Sequence, residues 1–153
     1  MNNHDLQDAI KALQLFCNVE SLSVPYFTAN EAPSTYKSMR EYRDKHHMFC
    51  IFDGGSEDTI LPYRSNIEFR AIHDKMHYDL KLTFTFKDEK KLSNITSLKV
   101  FKWLRQRGFT KKVAYNTFKL VNAEIKGQIE YYERKNKFLD NQTEYIKTWL
   151  GVA

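Results

Sequence analysis

The segment from Ser65 to Leu80 constrains the fold most, because two kinds of residue recur along it at helical spacing. With about 100° of rotation per residue, one stripe of such a helix is apolar and the stripe beside it is polar. The apolar stripe consists of Phe69, Ile72, Met76 and Leu80. The polar stripe, called the polar seam below, consists of Asn66, Arg70, His73 and His77. The pattern predicts a core-facing helix whose polar seam has something to bind.

Helical periodicity recurs over much of the chain. It predicts helices over residues 4–19, 34–46, 110–134 and 140–149, and another that begins between 88 and 97 and ends at 107. The predicted N-caps are Asn3, Ser34, Thr110 and Asp140. A chain of 153 residues that is 42% apolar can bury one core. Residues 1–153 are therefore predicted to form a single compact domain, mainly α, with five or six helices and a small β-hairpin or strand element.

The β element is expected at Met48–Phe52. This apolar run ends at Asp53-Gly54-Gly55, a pattern typical of a strand that enters a turn. It could form a hairpin with residues 59–61. Prolines interrupt residues 21–33, which predicts a loop or an extended pass. Residues 81–86 alternate polar and apolar side chains, which predicts a half-buried strand or an extended connection.

His73 and His77 are four residues apart, which is the spacing by which a helix presents two imidazoles to a metal ion. A metal site needs at least one more ligand. The longest predicted helix offers Glu124, with Gln128 one turn further along. Gly127, beside this pair, costs about 1 kcal/mol of helix propensity relative to Ala, so another group is expected to approach closely there.

Packing these two helices with their polar sides together predicts a pocket. An inward-facing carboxylate needs a partner, so Glu124 is expected within about 2.7–3.2 Å of Arg70, His73 or His77, or to share a cation with the histidines. Three interpretations stay open: a satisfied network in the core, a metal or catalytic site, and exposed histidines with no role. In the second, His73, His77 and Glu124 hold one divalent metal ion, and the surrounding polar pocket consists of Asn66, Arg70, Asp74 and Gln128.

A second set of residues, His46 or His47, then His73-Asp74, then Asp140, resembles the ligand order of HD-domain phosphohydrolases. That resemblance implies an all-helical fold that holds a divalent metal with these residues. It covers three positions and no flanking sequence.

A net charge of +5 and a pI near 9.1 favour contact with nucleic acid, an anionic surface or an acidic partner. The basic patch that could make this contact consists of Lys99, Lys102, Arg105, Arg107, Lys111 and Lys112. Trp103 and Phe109 are interleaved with it, as in nucleic-acid-binding surfaces. The alternative is a solvated basic face whose aromatic residues lie in the core. The sequence has no glycine-rich phosphate loop, Cys/His zinc pattern or nucleophile elbow.

Cellular location is predicted from the positions of the cysteines and from the absence of a predicted signal peptide or membrane span. Cys17 and Cys50 lie in a predicted helix and a predicted strand, which suits reduced thiols in the cytoplasm. The N-terminal segment has no basic and apolar regions of a signal peptide, and no apolar run approaches the ~20 residues of a membrane span. We therefore expect a cytoplasmic protein with no membrane partner.

Three segments resemble small uncharacterised proteins encoded by tailed bacteriophages. They are residues 53–60, residues 66–77 with the pattern FRAxHDxxH, and residues 124–128 together with Phe138 and Gln142. The resemblance implies expression in the cytoplasm of an infected bacterium and brings no known activity. In the phage pattern a Gly-Glu pair follows the segment that corresponds to Phe84-Thr-Phe86, whereas this chain has Asp88-Glu89 without the glycine.

Two hypotheses on function follow. In the first, the protein is a small phage-type accessory protein that binds a host or phage macromolecule, protein or nucleic acid, and the polar seam is purely structural. In the second, it is a divalent-metal-dependent hydrolase that uses the HDxxH helix, either as an HD-type enzyme or through the two-helix His/Glu site.

Overall fold

The computed structural model describes residues 1–137 and 140–152, and most of the predicted helical periodicity corresponds to helices. Within these residues the α-helices are α1 (Asn3–Glu20), α2 (Tyr36–His46), α3 (Tyr63–Leu80), α4 (Phe86–Gln106), α5 (Lys111–Asn122), α6 (Gln128–Lys135) and α7 (Gln142–Trp149). A π-helical turn, Ala123–Gly127, joins α5 to α6 without interruption. Residues 111–135 therefore form one continuous helix, and the predicted mainly helical domain with five or six helices is confirmed.

Side chains cap the helices close to the predicted residues. The Thr110 side chain accepts a hydrogen bond from the backbone N–H of Val113, at 3.2 Å, as predicted. The other three caps differ from the prediction by one residue: Asn2, Thr35 and Asn141 cap α1, α2 and α7 in place of Asn3, Ser34 and Asp140. In each case two neighbouring residues both have side chains that favour the cap, so the sequence could not distinguish them.

The sheet differs from the predicted hairpin. Strand β2 (Phe49–Phe52) is where it was expected, but it pairs in parallel with β1 (Tyr26–Ala29), which lies in the segment predicted as a loop or extended pass. The predicted pairing with residues 59–61 is wrong, because those residues form no strand. Helix α2 supplies the crossover that a parallel pair needs. Residues 82–85 form an irregular connection and not a strand.

The core lies between α1, α3, α4 and the long helix of residues 111–135. Leu13, Phe16, Leu104 and Leu120 are completely buried there. The predicted apolar stripe of α3 is buried except at its end, where Leu80 is 46% exposed. Among the described residues, no helix has both the length and the apolar composition needed to cross a membrane.

Helix α7 packs against the π-helical turn. A Cβ atom added to Gly127 would lie 3.3 Å from the Trp149 ring, so the expectation of close approach at this glycine is confirmed. Cys17 and Cys50 are both buried and both free thiols.

Candidate metal centre

Two histidines of α3 and one glutamate of α4 meet at a single point. The Nε2 atoms of His73 and His77 lie 3.1 Å apart, and the Glu89 carboxylate lies 3.0 Å from the first and 2.7 Å from the second. Donor atoms that bind one Zn²⁺ at about 2.0–2.2 Å are separated from one another by about 3 Å. The three side chains, called the His–His–Glu cluster below, therefore have the spacing of ligands to one metal ion.

The hydrogen bond of His77 to the backbone defines which nitrogen faces the cluster. Its Nδ1 lies 2.8 Å from the carbonyl oxygen of Leu82. A carbonyl oxygen only accepts, so Nδ1 carries the proton, and neutral His77 presents a lone pair at Nε2. This lone pair faces the Glu89 carboxylate, so a proton or a metal cation must lie between them. In a metal-ligating histidine, the ring nitrogen that does not bind the metal is usually hydrogen-bonded in the same way.

The hydrogen bonds between Glu89 and the histidines shift the pKa values of Glu89 and His77. Burial alone raises the pKa of Glu89, but hydrogen bonds from His73 and His77 outweigh burial and lower this pKa to about 2. Burial likewise lowers the pKa of His77, but its hydrogen bonds to Glu89 and to the Leu82 carbonyl outweigh burial and raise it above its usual value. The cluster thus stabilises a positive charge beside the carboxylate, a charge that a divalent cation can also supply.

The connection between α3 and α4 brings Glu89 to the histidines. Lys81 ends α3 with a left-handed backbone (φ 55°), and the Asp88 carboxylate accepts hydrogen bonds from the backbone N–H and hydroxyl of Thr83, at 2.8 and 2.7 Å. These contacts reverse the chain so that the first turn of α4 faces α3. Glu89 was not among the ligands predicted from the sequence, although Thr85 and Asp88 form an [S/T]-x-x-[D/E] pattern that indicates a helix start there.

Two members of the cluster, His73 and Glu89, form part of the wall of a cavity of about 270 Å³ between α3, α4 and the long helix. Its polar lining consists of Asn66, Arg70, His73, Glu89, Glu124, Gln128 and Gln142. Asn66, Arg70 and His73 of the predicted polar seam are thus brought to one cavity with the Glu124–Gln128 pair. His77 is completely buried behind it, and Asp74 does not line it.

Glu124 faces inward as predicted, with 8% of its surface exposed, but its predicted direct contact is wrong. Its carboxylate accepts a hydrogen bond from Gln128, at 3.3 Å, and no hydrogen bond in residues 1–137 and 140–152 joins it to Arg70, His73 or His77. The carboxylate that meets both histidines is that of Glu89. Burial raises the pKa of Glu124 to about 7, against the opposing effect of the Arg70 charge.

Arg70 makes its contacts with the end of β2 and with the loop that follows it. Its Nη1 donates to the carbonyl oxygens of Phe52 and Gly54, both at 2.7 Å. Burial lowers the Arg70 pKa, and nearby acidic groups oppose this effect. Asn66 is held by the same loop, because its amide donates to the Ser56 hydroxyl at 2.9 Å.

The HD-type ligand set is not assembled. His46 packs against the Tyr42 ring, His47 ends α2, and both histidines are exposed, as is Asp140. Among the described residues the only group with metal-ligand spacing is the His–His–Glu cluster, and Asp74 contributes no atom to it. Burial raises the pKa of Asp74 to about 6.

Several residues of the basic patch have partners within the chain. Lys112 pairs with Asp5 at 2.7 Å, Arg105 donates to the Phe109 carbonyl, and Arg107 lies 3.5 Å from the centre of the Trp103 ring. Lys99 and Lys102 are exposed along a groove of α4, and Lys111 is exposed at the start of α5. Binding of nucleic acid or of a protein partner to this patch stays a prediction.

Comparisons with protein-family models, with curated proteins and with solved structures gave no match to this chain. The resemblance to bacteriophage proteins therefore stays a prediction, and Phe138, one of its residues, lies outside the described residues.

Proposed function

We propose that this protein is a divalent-metal-dependent hydrolase whose metal ion is held by His73, His77 and Glu89. The observation that carries the proposal is the convergence of three ligand atoms from α3 and α4 beside a polar cavity that His73 and Glu89 line. Two imidazoles and one carboxylate are a ligand set of catalytic zinc sites, which keep a further position for water or substrate. His73 and Glu89 both line the cavity, so that position would face it.

The rest of the cavity supplies a group that can move a proton. A bound divalent ion would polarise the scissile bond and lower the pKa of a coordinated water. Glu124 lines the same cavity, and its pKa of about 7 allows it to accept a proton and return it near neutral pH. Gln128 orients Glu124 by its hydrogen bond and also donates to Gln142, at 3.4 Å. Glu124 thus acts as general base without being a ligand.

Activity with and without metal tests this proposal. Chelator-treated protein is assayed against p-nitrophenyl esters, phosphoesters and anilides, alone and with Zn²⁺, Mn²⁺, Co²⁺ or Fe²⁺. We expect hydrolysis that requires the ion and is lost in His77→Ala. His4→Ala is the control and should leave hydrolysis unchanged, because His4 is an exposed histidine of α1. Glu124→Gln should retain the metal and lose most of the turnover. Metal binding with no metal-dependent hydrolysis of any compound would contradict the hydrolase assignment.

A further inference from the structure

We propose that the cavity recognises an oxyanion of its substrate, a carboxylate or a phosphate, through the guanidinium group of Arg70. This inference deepens the proposed function, because it names the substrate class of the same site. It rests on how Arg70 is held and on which charges surround it.

The positive charge of Arg70 is available to a ligand. No carboxylate of the described residues forms an ion pair with it, although Glu57, Asp74 and Glu124 are near enough to act on its charge. Its two close hydrogen-bond acceptors are uncharged carbonyl oxygens, and both bind the same nitrogen, Nη1. A guanidinium group has five N–H donors in a planar fork, so Nη2 and Nε keep donors for a further acceptor.

The two carbonyls fix the position of the guanidinium group. They belong to the last residue of β2 and to the loop that follows it. Gly55 in this loop adopts φ 74°, a backbone conformation that favours glycine. A Cβ atom at Gly55 would lie 3.4 Å from Nη2 of Arg70. A cation held in this way loses little rotational freedom when a ligand binds, which is the condition for bidentate recognition of an oxyanion.

The surrounding charges favour an anion over a cation. Arg70 and Glu124 line one cavity, yet they do not contact each other. Because burial raises the Glu124 pKa to about 7, a large fraction of this carboxyl group is uncharged near neutral pH, which weakens its repulsion of an oxyanion. A divalent ion on the His–His–Glu cluster would add positive charge on the same wall. The oxyanion would sit at Arg70 and the scissile bond at the cluster.

Titration with inorganic phosphate and with acetate tests the inference, using metal-loaded and chelator-treated protein at constant ionic strength. Binding is followed by calorimetry and by the NMR signal of the Arg70 Nε–H group, identified by its loss in Arg70→Lys. We expect one site for at least one of the two anions, roughly tenfold weaker or more in Arg70→Gln, intermediate in Arg70→Lys and unchanged in Lys11→Gln. The anion that binds more tightly identifies the substrate group as phosphate or carboxylate.

The outcomes separate this inference from the proposed function. Phosphate or acetate binding that depends on Arg70 in chelator-treated protein supports the oxyanion site even where no metal binds. Binding that needs the metal and is equal in Arg70→Gln overturns it, because the anion then contacts only the metal. Absence of binding for both anions also overturns it. If Arg70→Gln fails to fold, an unshifted Arg70 Nε–H signal in the wild-type titration is the overturning result.

Discussion

Replacing Glu124 by Gln removes a buried ionisable group and keeps its shape and its hydrogen-bond acceptor for Gln128. Burial raises the Glu124 pKa from 4.5 to about 7, so ionisation costs the folded protein stability. At about 1.4 kcal/mol for each pH unit, this cost reaches about 3 kcal/mol. A carboxyl group whose pKa is raised by folding stabilises the fold only while it is protonated. The cost therefore starts above pH 4.5 and is complete somewhat above pH 7.

The assay is urea unfolding of chelator-treated wild type and Glu124→Gln from about pH 5 to about pH 8.5. We expect the two proteins to have similar stability at the acidic end, and the variant to be more stable by about 3 kcal/mol at the alkaline end. Glu41→Gln, at an exposed position of α2, is the matched control and should show no such trend. A difference that does not change with pH, or a variant that is the less stable protein at alkaline pH, would contradict this prediction.

Two further predictions concern groups outside the cavity. Ser21→Ala should destabilise the protein by about 1–3 kcal/mol, because the Ser21 hydroxyl donates to the buried Glu68 carboxylate at 2.8 Å. Arg64 pairs with the same carboxylate, but its side chain is 83% exposed, so Arg64→Gln should cost much less. Equal losses of stability in urea unfolding would contradict this. Cys17 and Cys50 should react with a thiol reagent only as fast as the chain opens, since both are buried and burial raises the pKa of both thiols, and rapid labelling of the native protein would contradict this.

The polar seam could be predicted because helical spacing alone fixes which side chains share a face. Asn66, Arg70 and His73 reach one cavity for this reason, and Glu124 meets them there because apolar residues flank it on the long helix. Helical spacing could not predict that Glu89 would lie beside the histidines. Its approach to the histidines depends on the left-handed turn at Lys81, which periodicity does not encode.

The pairing of the strands and the π-helical turn could not be predicted from local sequence patterns. The parallel pairing of β1 with β2 joins segments separated by α2, and Pro25 just before β1 made that segment read as a loop. The π-helical turn adds residues to one turn of the long helix, which rotates the following positions relative to a regular wheel. Gly127 indicated only that some group approaches the helix closely, and the structure identifies this group as Trp149.

The metal-site proposal is that Glu89, and not Glu124, joins His73 and His77 as a ligand. Its most direct test is the zinc content and the zinc-induced rise in melting temperature of wild type, Glu89→Gln and Glu124→Gln, because an ion that binds only the folded chain must stabilise it. We expect one Zn²⁺ per chain and a clear rise for wild type and Glu124→Gln, with both lost or strongly weakened in Glu89→Gln. Equal zinc binding by Glu89→Gln and wild type, or its loss in Glu124→Gln alone, would contradict the account.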